Sequence, residues 1–302
     1  MIAEHTKEIG KIARQQAHFD YPLGEISTFR AGGHVKAMCE VDSVDLLREL
    51  VGFVEEESIR YLAIGGASNV LVRDEGLDAV VFFLTGEFKE IKKAEEPSVS
   101  LWVGAGVSLF DLLLTCRNMG LGGLEFLAGI PGKVGGAVRG NTGAFGGQIS
   151  ENIVAVELMT ATGELVVMDK EDLDFGYRSL NIPDGAIITR ALLAVREDSS
   201  EKVRQRIVHH LIEKKNRQPL DLPSLGSVFK NPPGDYAGRM IEAVGLKGKR
   251  IGGAMISPKH ANFIVNTGQA RASQFLALAE LAKDKVKEEF GVTLELEIKV
   301  LG

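Results

Sequence analysis

Residues 129–147 hold eight glycines in nineteen positions (Gly129, Gly132, Gly135, Gly136, Gly140, Gly143, Gly146 and Gly147), with Lys133 and Arg139 as the only charges. Each glycine placed inside a regular helix or strand costs roughly 0.5–1 kcal/mol of extra chain entropy. A stretch this dense is therefore built as loop and short turn, and it must be stabilised by something other than its own side chains. Amides without a Cβ in front of them can approach a ligand closely, and a run of them forms a cradle for an anion such as a phosphate. A second patch, Gly65-Gly66-Ala67-Ser68-Asn69, follows the apolar run Tyr61-Leu62-Ala63-Ile64 and reads as a strand opening into a similar loop. Two such cradles in one chain suit a long ligand with a diphosphate in its middle, and a dinucleotide fits that description.

The chain has 302 residues, enough for two or three domains and a substantial core. Its net charge of −6 argues against nucleic acid, whose binders need a basic face. Cys39 and Cys116 are far apart and outside any metal-ligand spacing, so neither a disulfide scaffold nor a metal site is expected. No apolar run reaches a membrane span and the start, Met1-Ile2-Ala3-Glu4-His5, carries no signal-peptide core, so the expected compartment is a reducing cytoplasm.

Periodicity predicts helices over 3–17, 42–57 (capped by Asp42 or Ser43), 108–119, 201–216, 237–244 and 273–290. Strands are predicted over 60–64, 79–84, 99–103, 153–160, 165–168, 187–195 and 262–265, and over 292–301, where Leu294, Leu296, Ile298 and Val300 alternate with charges. A charged linker, 89–97, separates two early units, and Asp198-Ser199-Ser200 marks a later boundary. The pattern is mixed α+β, with two ligand-side units and one substrate-side unit. The familiar nucleotide motifs are missing. Gly104-Ala105-Gly106 has Leu109 where a Rossmann loop needs its third glycine, and neither Gly132-Lys133 nor Gly248-Lys249 completes a Walker loop. A dinucleotide would have to bind through a different fold.

Several segments, in order, resemble the UDP-N-acetylenolpyruvoylglucosamine reductase family. They are Thr28-Phe29-Arg30-Ala31-Gly32-Gly33, Gly65-Gly66-Ala67-Ser68-Asn69-Val70-Leu71-Val72, and Gly129-Ile130-Pro131-Gly132 with Val134-Gly135-Gly136-Ala137. Further along come Asn141-Thr142-Gly143-Ala144-Phe145-Gly146, Tyr177-Arg178-Ser179, Gly226-Ser227-Val228-Phe229-Lys230-Asn231-Pro232, Lys259-His260-Ala261-Asn262-Phe263-Ile264-Val265-Asn266 and Leu294-Glu295-Leu296-Glu297-Ile298. The absence of a long insertion after Arg178 is similar to the shorter subtype, which lacks a tyrosine-bearing substrate loop. Phe145 stands where a tyrosine is common, and Arg139 where an uncharged residue is usual.

The resemblance implies an FAD-binding fold of the vanillyl-alcohol-oxidase/PCMH type in two subdomains (1–86 and 87–198), a smaller α+β substrate-binding domain (199–291), and a terminal strand (292–302) returning to the FAD region. It implies non-covalent FAD, NADPH as hydride donor, and UDP-N-acetylglucosamine enolpyruvate as small-molecule substrate, with no nucleic-acid or membrane partner and a monomer or weak oligomer in solution. Gly65, Gly66, Ala67, Ser68, Asn69, Gly129, Ile130, Pro131, Gly132, Gly135, Gly136, Ala137, Asn141 and Gly143 would hold the flavin, and Arg217, Lys230 and Asn231 the substrate. Arg178 and Glu297 would serve the substrate carboxylate, and Ser227 would deliver a proton.

These residue types suit that chemistry. A guanidinium binds a carboxylate bidentately and stays charged. A carboxylate beside another implies that one holds a proton, and a hydroxyl donates a proton only where cations or donors stabilise its alkoxide. Each also has an ordinary structural reading: an ion pair for Arg178, a turn for Ser227, a solvated edge for Glu297 and its neighbour Glu295. The competing functions are another FAD-dependent oxidase or dehydrogenase of the same superfamily, with His34 or Cys116 as a flavin tether, and a non-catalytic module that binds sugar nucleotides.

Overall fold

The structure, a computed structural model, describes residues 2–14, 16–95 and 99–302. Met1, Gln15 and Pro97, which fall in the expected first domain, first helix and charged linker, lie outside the described residues. The chain divides into two compact units: Met1–Phe19, Lys36–Gly66 and Ala79–Ile212 form one, and Asp20–Val35, Ala67–Asp78 and Glu213–Gly302 form the other. The sequence-based boundaries at 86, 198 and 291 cut the chain into consecutive pieces, whereas these units interleave. Parallel pairing of Lys299–Leu301 with Val70–Val72 is one physical reason, because it ties the chain's end to an early segment.

In the first unit, helix Val44–Glu56 starts where the Ser43 hydroxyl accepts the Leu46 N–H at 3.4 Å. Leu46, Leu47, Leu50, Val51 and Val54 recur at helical spacing and are buried, each worth roughly 1.5–3 kcal/mol of transfer energy. They pack on a four-stranded sheet ordered Ala17–Tyr21, Val35–Val41, Leu77–Leu84, Tyr61–Ala63. Beside it lies a five-stranded sheet ordered Leu165–Asp169, Ile153–Met159, Ile187–Ala194, Ser100–Gly104, Ile91–Lys93, antiparallel throughout. Helix Leu109–Met119 begins at Ser108, whose hydroxyl accepts the Asp111 N–H at 3.0 Å, and ends at Gly120 in the left-handed conformation.

In the second unit, helix Ala272–Phe290 buries Phe275, Leu278, Ala279, Ala282 and Val286. It contacts a three-stranded sheet of Arg250–Ile251, Ala254–Ile256 and Ile264–Asn266. Phe29 meets Phe275 edge to face at 5.0 Å. The architecture is α+β, as expected. Strands Val35–Val41, Val70–Val72 and Ala254–Ile256 lie outside the predicted strands, and two predicted elements differ in extent. The helix predicted over 3–17 ends at Ile12, and Ala17–Tyr21 is strand. Of the strand predicted over 292–301, only Lys299–Leu301 is regular, because residues 295–297 pair instead with the segment around Phe229.

Candidate active site

The two glycine-rich loops meet within the first unit. A methyl added to Gly65 would lie 3.2 Å from Lys133 Cβ, and one added to Gly66 would lie 3.4 Å from Gly132 Cα. Gly129 and Gly132 have φ of 69° and 130°, values that side chains rarely adopt. The first of these loops continues out of strand Tyr61–Ala63. The second is anchored on the segment before helix Leu109–Met119, where Leu109 N–H donates to Gly132 O, Val134 N–H to Val107 O and Gly135 N–H to Ala105 O. The amides of Val134 and Gly135 therefore stay inside the protein, as does that of Ile130, which donates to Leu127 O. A methyl on Gly136 or on Gly146 would meet nothing within 4 Å. Gly136 is exposed, and so are Gly129, Pro131 and Gly146.

This surface is walled by main chain on an exposed side that no Cβ blocks. It fits the close approach of a diphosphate-bearing cofactor, since a methyl at Gly136 or Gly146 would meet nothing within 4 Å. Lys133 adds a positive charge at the same place: its ammonium donates to Leu84 O at 3.3 Å, and burial, reinforced by Lys89, lowers its pKa.

Asn141 is buried and its side chain works as a brace. Its amide nitrogen donates to Gly176 O at 2.9 Å, and its oxygen accepts the Ser150 N–H at 3.2 Å. That brace ties the glycine loop to the hairpin of Asp174–Gly176 and Ser179–Asn181, whose turn carries Arg178 with φ 58°. Arg178 stands over the loop: one guanidinium nitrogen lies 3.1 Å from where a methyl on Gly143 would be, and the group sits 5.2 Å from the Tyr177 ring. Phe145 stacks on the His210 imidazole with ring centres 4.2 Å apart. Arg139 is exposed at the end of the short helix Val134–Arg139.

The second unit brings together Ser227 and Glu297, seventy positions apart. Glu297 N–H donates to Val228 O at 2.8 Å, Lys230 N–H donates to Glu295 O at 2.9 Å, and Phe229 bridges Leu296. The residue that follows Ser227 is thus bonded to Glu297 through its carbonyl. Asn69 holds the other side of the same backbone: its side-chain amide donates to Glu297 O at 3.1 Å, while its own carbonyl accepts the Lys299 N–H at 2.9 Å. Glu295 and Glu297 separate clearly. Glu295 is three-quarters exposed with Lys230 Nζ 3.3 Å away, whereas Glu297 is half-buried.

The remaining expected substrate residues have structural partners. Asn231 accepts the Ala237 N–H at 3.1 Å, capping helix Ala237–Ala243, and Arg217 pairs with Glu213 at 2.8 Å. Ala67, with φ 46°, and Ser68 continue the first glycine loop into the second unit, where Ala67 O accepts the Thr28 N–H. Pro131 and Ala137 lie in the second loop and its short helix.

Two residues of the second unit escaped assignment from the sequence. Asn262 is buried and clamps Phe229 from both ends, accepting its N–H at 2.9 Å and donating to its O at 2.8 Å. Asn266 is buried and donates to Phe29 O at 2.9 Å. The signal was an asparagine at each end of the apolar run Phe263-Ile264-Val265, since a buried amide must find partners. Among the described residues no three or more metal-ligating side chains converge, and no helix is long and apolar enough to cross a membrane.

Comparison with known proteins falls on the same regions. The FAD binding domain family matches residues 35–169, and the C-terminal domain family of UDP-N-acetylenolpyruvoylglucosamine reductase matches residues 218–301. The chain is 40% identical over 300 residues to the UDP-N-acetylenolpyruvoylglucosamine reductase of Anaeromyxobacter sp. (strain Fw109-5), covering 99% of this chain and 93% of that protein. It is 39% identical over 306 residues to UDP-N-acetylenolpyruvoylglucosamine reductase 2 of Symbiobacterium thermophilum, covering 100% and 97%. The crystal structure of the Thermus caldophilus UDP-N-acetylenolpyruvylglucosamine reductase superposes with a TM-score of 0.81 at 38% identity, covering 95% of this chain and 98% of that one. The fold is therefore the FAD-binding fold joined to a smaller α+β C-terminal domain.

Proposed function

We propose, since this chain belongs to the UDP-N-acetylenolpyruvoylglucosamine reductase family and is an FAD-dependent oxidoreductase, that it reduces UDP-N-acetylglucosamine enolpyruvate to UDP-N-acetylmuramate with NADPH as hydride donor. The step belongs to peptidoglycan precursor synthesis and takes place in the cytoplasm. Bound FAD would supply hydride transfer, from NADPH to its N5 and from N5 to the enolpyruvyl methylene carbon. The flavin is held by Gly65, Gly66, Ala67, Ser68, Asn69, Gly129, Ile130, Pro131, Gly132, Gly135, Gly136, Ala137, Asn141 and Gly143, with Asn141 acting as a brace for its loop.

Hydride arrival converts the methylene to a methyl and leaves negative charge on the substrate carboxylate, and a proton must then reach the adjacent carbon. Arg178 binds and neutralises that carboxylate. Glu297 takes the second place at the carboxylate, in a protonated or proton-sharing form. The Ser227 hydroxyl gives up the proton as general acid. Lys230, Arg217 and Asn231 serve the sugar-nucleotide side. The flavin falls to residues 1–198, the substrate to 199–291, and residues 292–302 supply Glu297.

The observation that supports this reading most is the hydrogen bond from Glu297 N–H to Val228 O, which brings the main chain of Glu297 against the residue next to Ser227. The test is anaerobic. The purified protein is reduced with NADPH until its flavin colour bleaches, and UDP-N-acetylglucosamine enolpyruvate is then added. Return of the colour with formation of UDP-N-acetylmuramate is expected. A flavin that bleaches and stays bleached would sink the substrate assignment.

A further inference from the structure

We propose that strand Leu165–Asp169, at one edge of the first unit's five-stranded sheet, is a self-association surface on which a second copy of this chain pairs antiparallel, centred on Val167. The two edges of that sheet are built differently. Strand Ile91–Lys93 forms one edge and carries Lys92 and Lys93, the kind of charge that blunts edge-to-edge pairing. Strand Leu165–Asp169 forms the other, and Leu165, Val166 and Val167 in succession are 39%, 40% and 52% exposed. No proline or lysine interrupts it, and its single charge, Asp169, lies at its last position. An apolar edge without such a block is a template for another strand.

The hairpin fixes which main-chain groups point outward. Thr160 N–H donates to Glu164 O at 2.8 Å, and Met159 stands opposite Leu165. Hydrogen-bonded pairs alternate along an antiparallel ladder. Residues 164, 166 and 168 therefore turn their amides toward strand Ile153–Met159, and Leu165, Val167 and Asp169 turn theirs away. A two-fold axis at Val167 sets those outward groups against the same groups of the second copy, for about six new main-chain hydrogen bonds.

The same axis selects the occupant. It places Val167 against Val167 and Val166 against Met168 of the second copy, so these apolar residues cover one another, while Leu165 stands opposite Asp169 at each end. It also places Glu164 opposite Lys170 of the second copy, twice by symmetry. Moving the axis to Val166 loses that charge match, setting Glu164 opposite Met168. A strand this short gives an interface below standard size, so the dimer is weak and concentration-dependent.

Sedimentation velocity of the full chain over a dilution series tests this. The mass is expected to rise from that of one chain, 32.6 kDa, toward twice that value as concentration increases. Val167→Lys, which faces its own copy across the axis, should hold the protein at the mass of one chain. Glu164→Lys should weaken association about tenfold, and adding Lys170→Glu should restore it. A single-chain mass at every concentration, a dimer indifferent to Val167→Lys, or a charge swap that restores nothing would each overturn the proposal. Since all three substitutions sit on an exposed edge, an unchanged thermal transition in the variants separates lost pairing from lost folding.

Discussion

The candidate site residues of the first unit are chiefly main chain, with Arg178 the exception, whereas those of the second are side chains. In the first, what qualifies Gly65, Gly66, Gly132 and Gly136 is the absence of a Cβ, and the loops approach each other until their backbones nearly touch. In the second, Ser227 and Glu297 are ordinary residues made special by one pairing, Glu297 N–H to Val228 O, with Asn262 and Asn69 holding either side. A surface of amides suits a fixed anion that stays bound, and positioned acids suit a proton that must move. The two constructions should therefore fail differently.

The largest effect is expected in the second unit. Ser227→Ala removes a half-buried hydroxyl and no packing, so the fold should be unharmed. Flavin reduction by NADPH should keep its rate, while reoxidation by substrate should slow by roughly 10²–10⁴, the usual worth of a general acid. Stopped-flow absorbance reads the two half-reactions separately. Equal rates in variant and wild type for the second would remove Ser227 from the mechanism.

The first unit is probed by adding the missing methyl. On Gly135 it would fall 2.8 Å from Ala105 Cβ, so Gly135→Ala should cost about 1–3 kcal/mol of stability by overpacking. On Gly136 it meets nothing within 4 Å, and alanine is the better helix former by about 1 kcal/mol. Gly136→Ala should therefore leave the apoprotein as stable or more so, yet release flavin more readily. Urea unfolding of the flavin-free protein and a flavin titration separate the two effects. An unaltered flavin affinity would mean that no ligand approaches this glycine.

The two constructions were unequally legible in the sequence. Glycine density is a local property, so both loops could be read directly, while their contact and their anchors on residues 105–109 and 176 are tertiary. Ser227 and Glu297 lie seventy positions apart, and no periodicity announces that one pairs beside the other. The family likeness supplied both names, but the pairing is tertiary. Alternation misled over residues 292–301 for the same reason, since Phe229 takes up the ladder where a regular strand was expected. Asn141, expected at the flavin from its place in the loop, is also a brace, buried and bonded to Gly176 and Ser150, which no local pattern announces.

A smaller effect comes from buried ionisable groups, and it runs in opposite directions in the two units. In the first, burial pushes the Cys39 and Cys116 thiols up to about 12, so they stay protonated and their contribution to stability is lost only as pH rises above about 9. In the second, burial lowers Lys214 to about 8. A lysine whose folded pKa is depressed opposes folding most strongly below pH 8, where it must be buried charged. The penalty fades between pH 8 and the unfolded value near 10.5, because there the unfolded chain binds the extra proton. Relative to wild type, Lys214→Met should therefore lose about 1 kcal/mol of stability between pH 7 and pH 9, because only wild type gains over that range. Urea midpoints at the two pH values check this. A variant that gains on wild type instead would place the cause elsewhere.

The smallest effect is the one that distinguishes neighbours. Glu295 and Glu297 belong to the same segment, yet Glu295 is three-quarters exposed and pairs with Lys230 near the surface, a contact worth at most about 1 kcal/mol. Glu297 is half-buried, with its peptide bonded on one side to Val228 and on the other to Asn69. Glu295→Gln should leave kcat within about twofold and stability within about 0.5 kcal/mol, the range of ordinary surface changes. Glu297→Gln, with the same change in charge and shape, should lower kcat by an order of magnitude or more, because the amide has no proton to share with the substrate. Steady-state kinetics on the pair compares two carboxylates that differ chiefly in where the pairing puts them. If Glu295→Gln proves the more damaging, Lys230 needs its ion pair more than the substrate needs Glu297, and the proton-handling role moves one step along the segment.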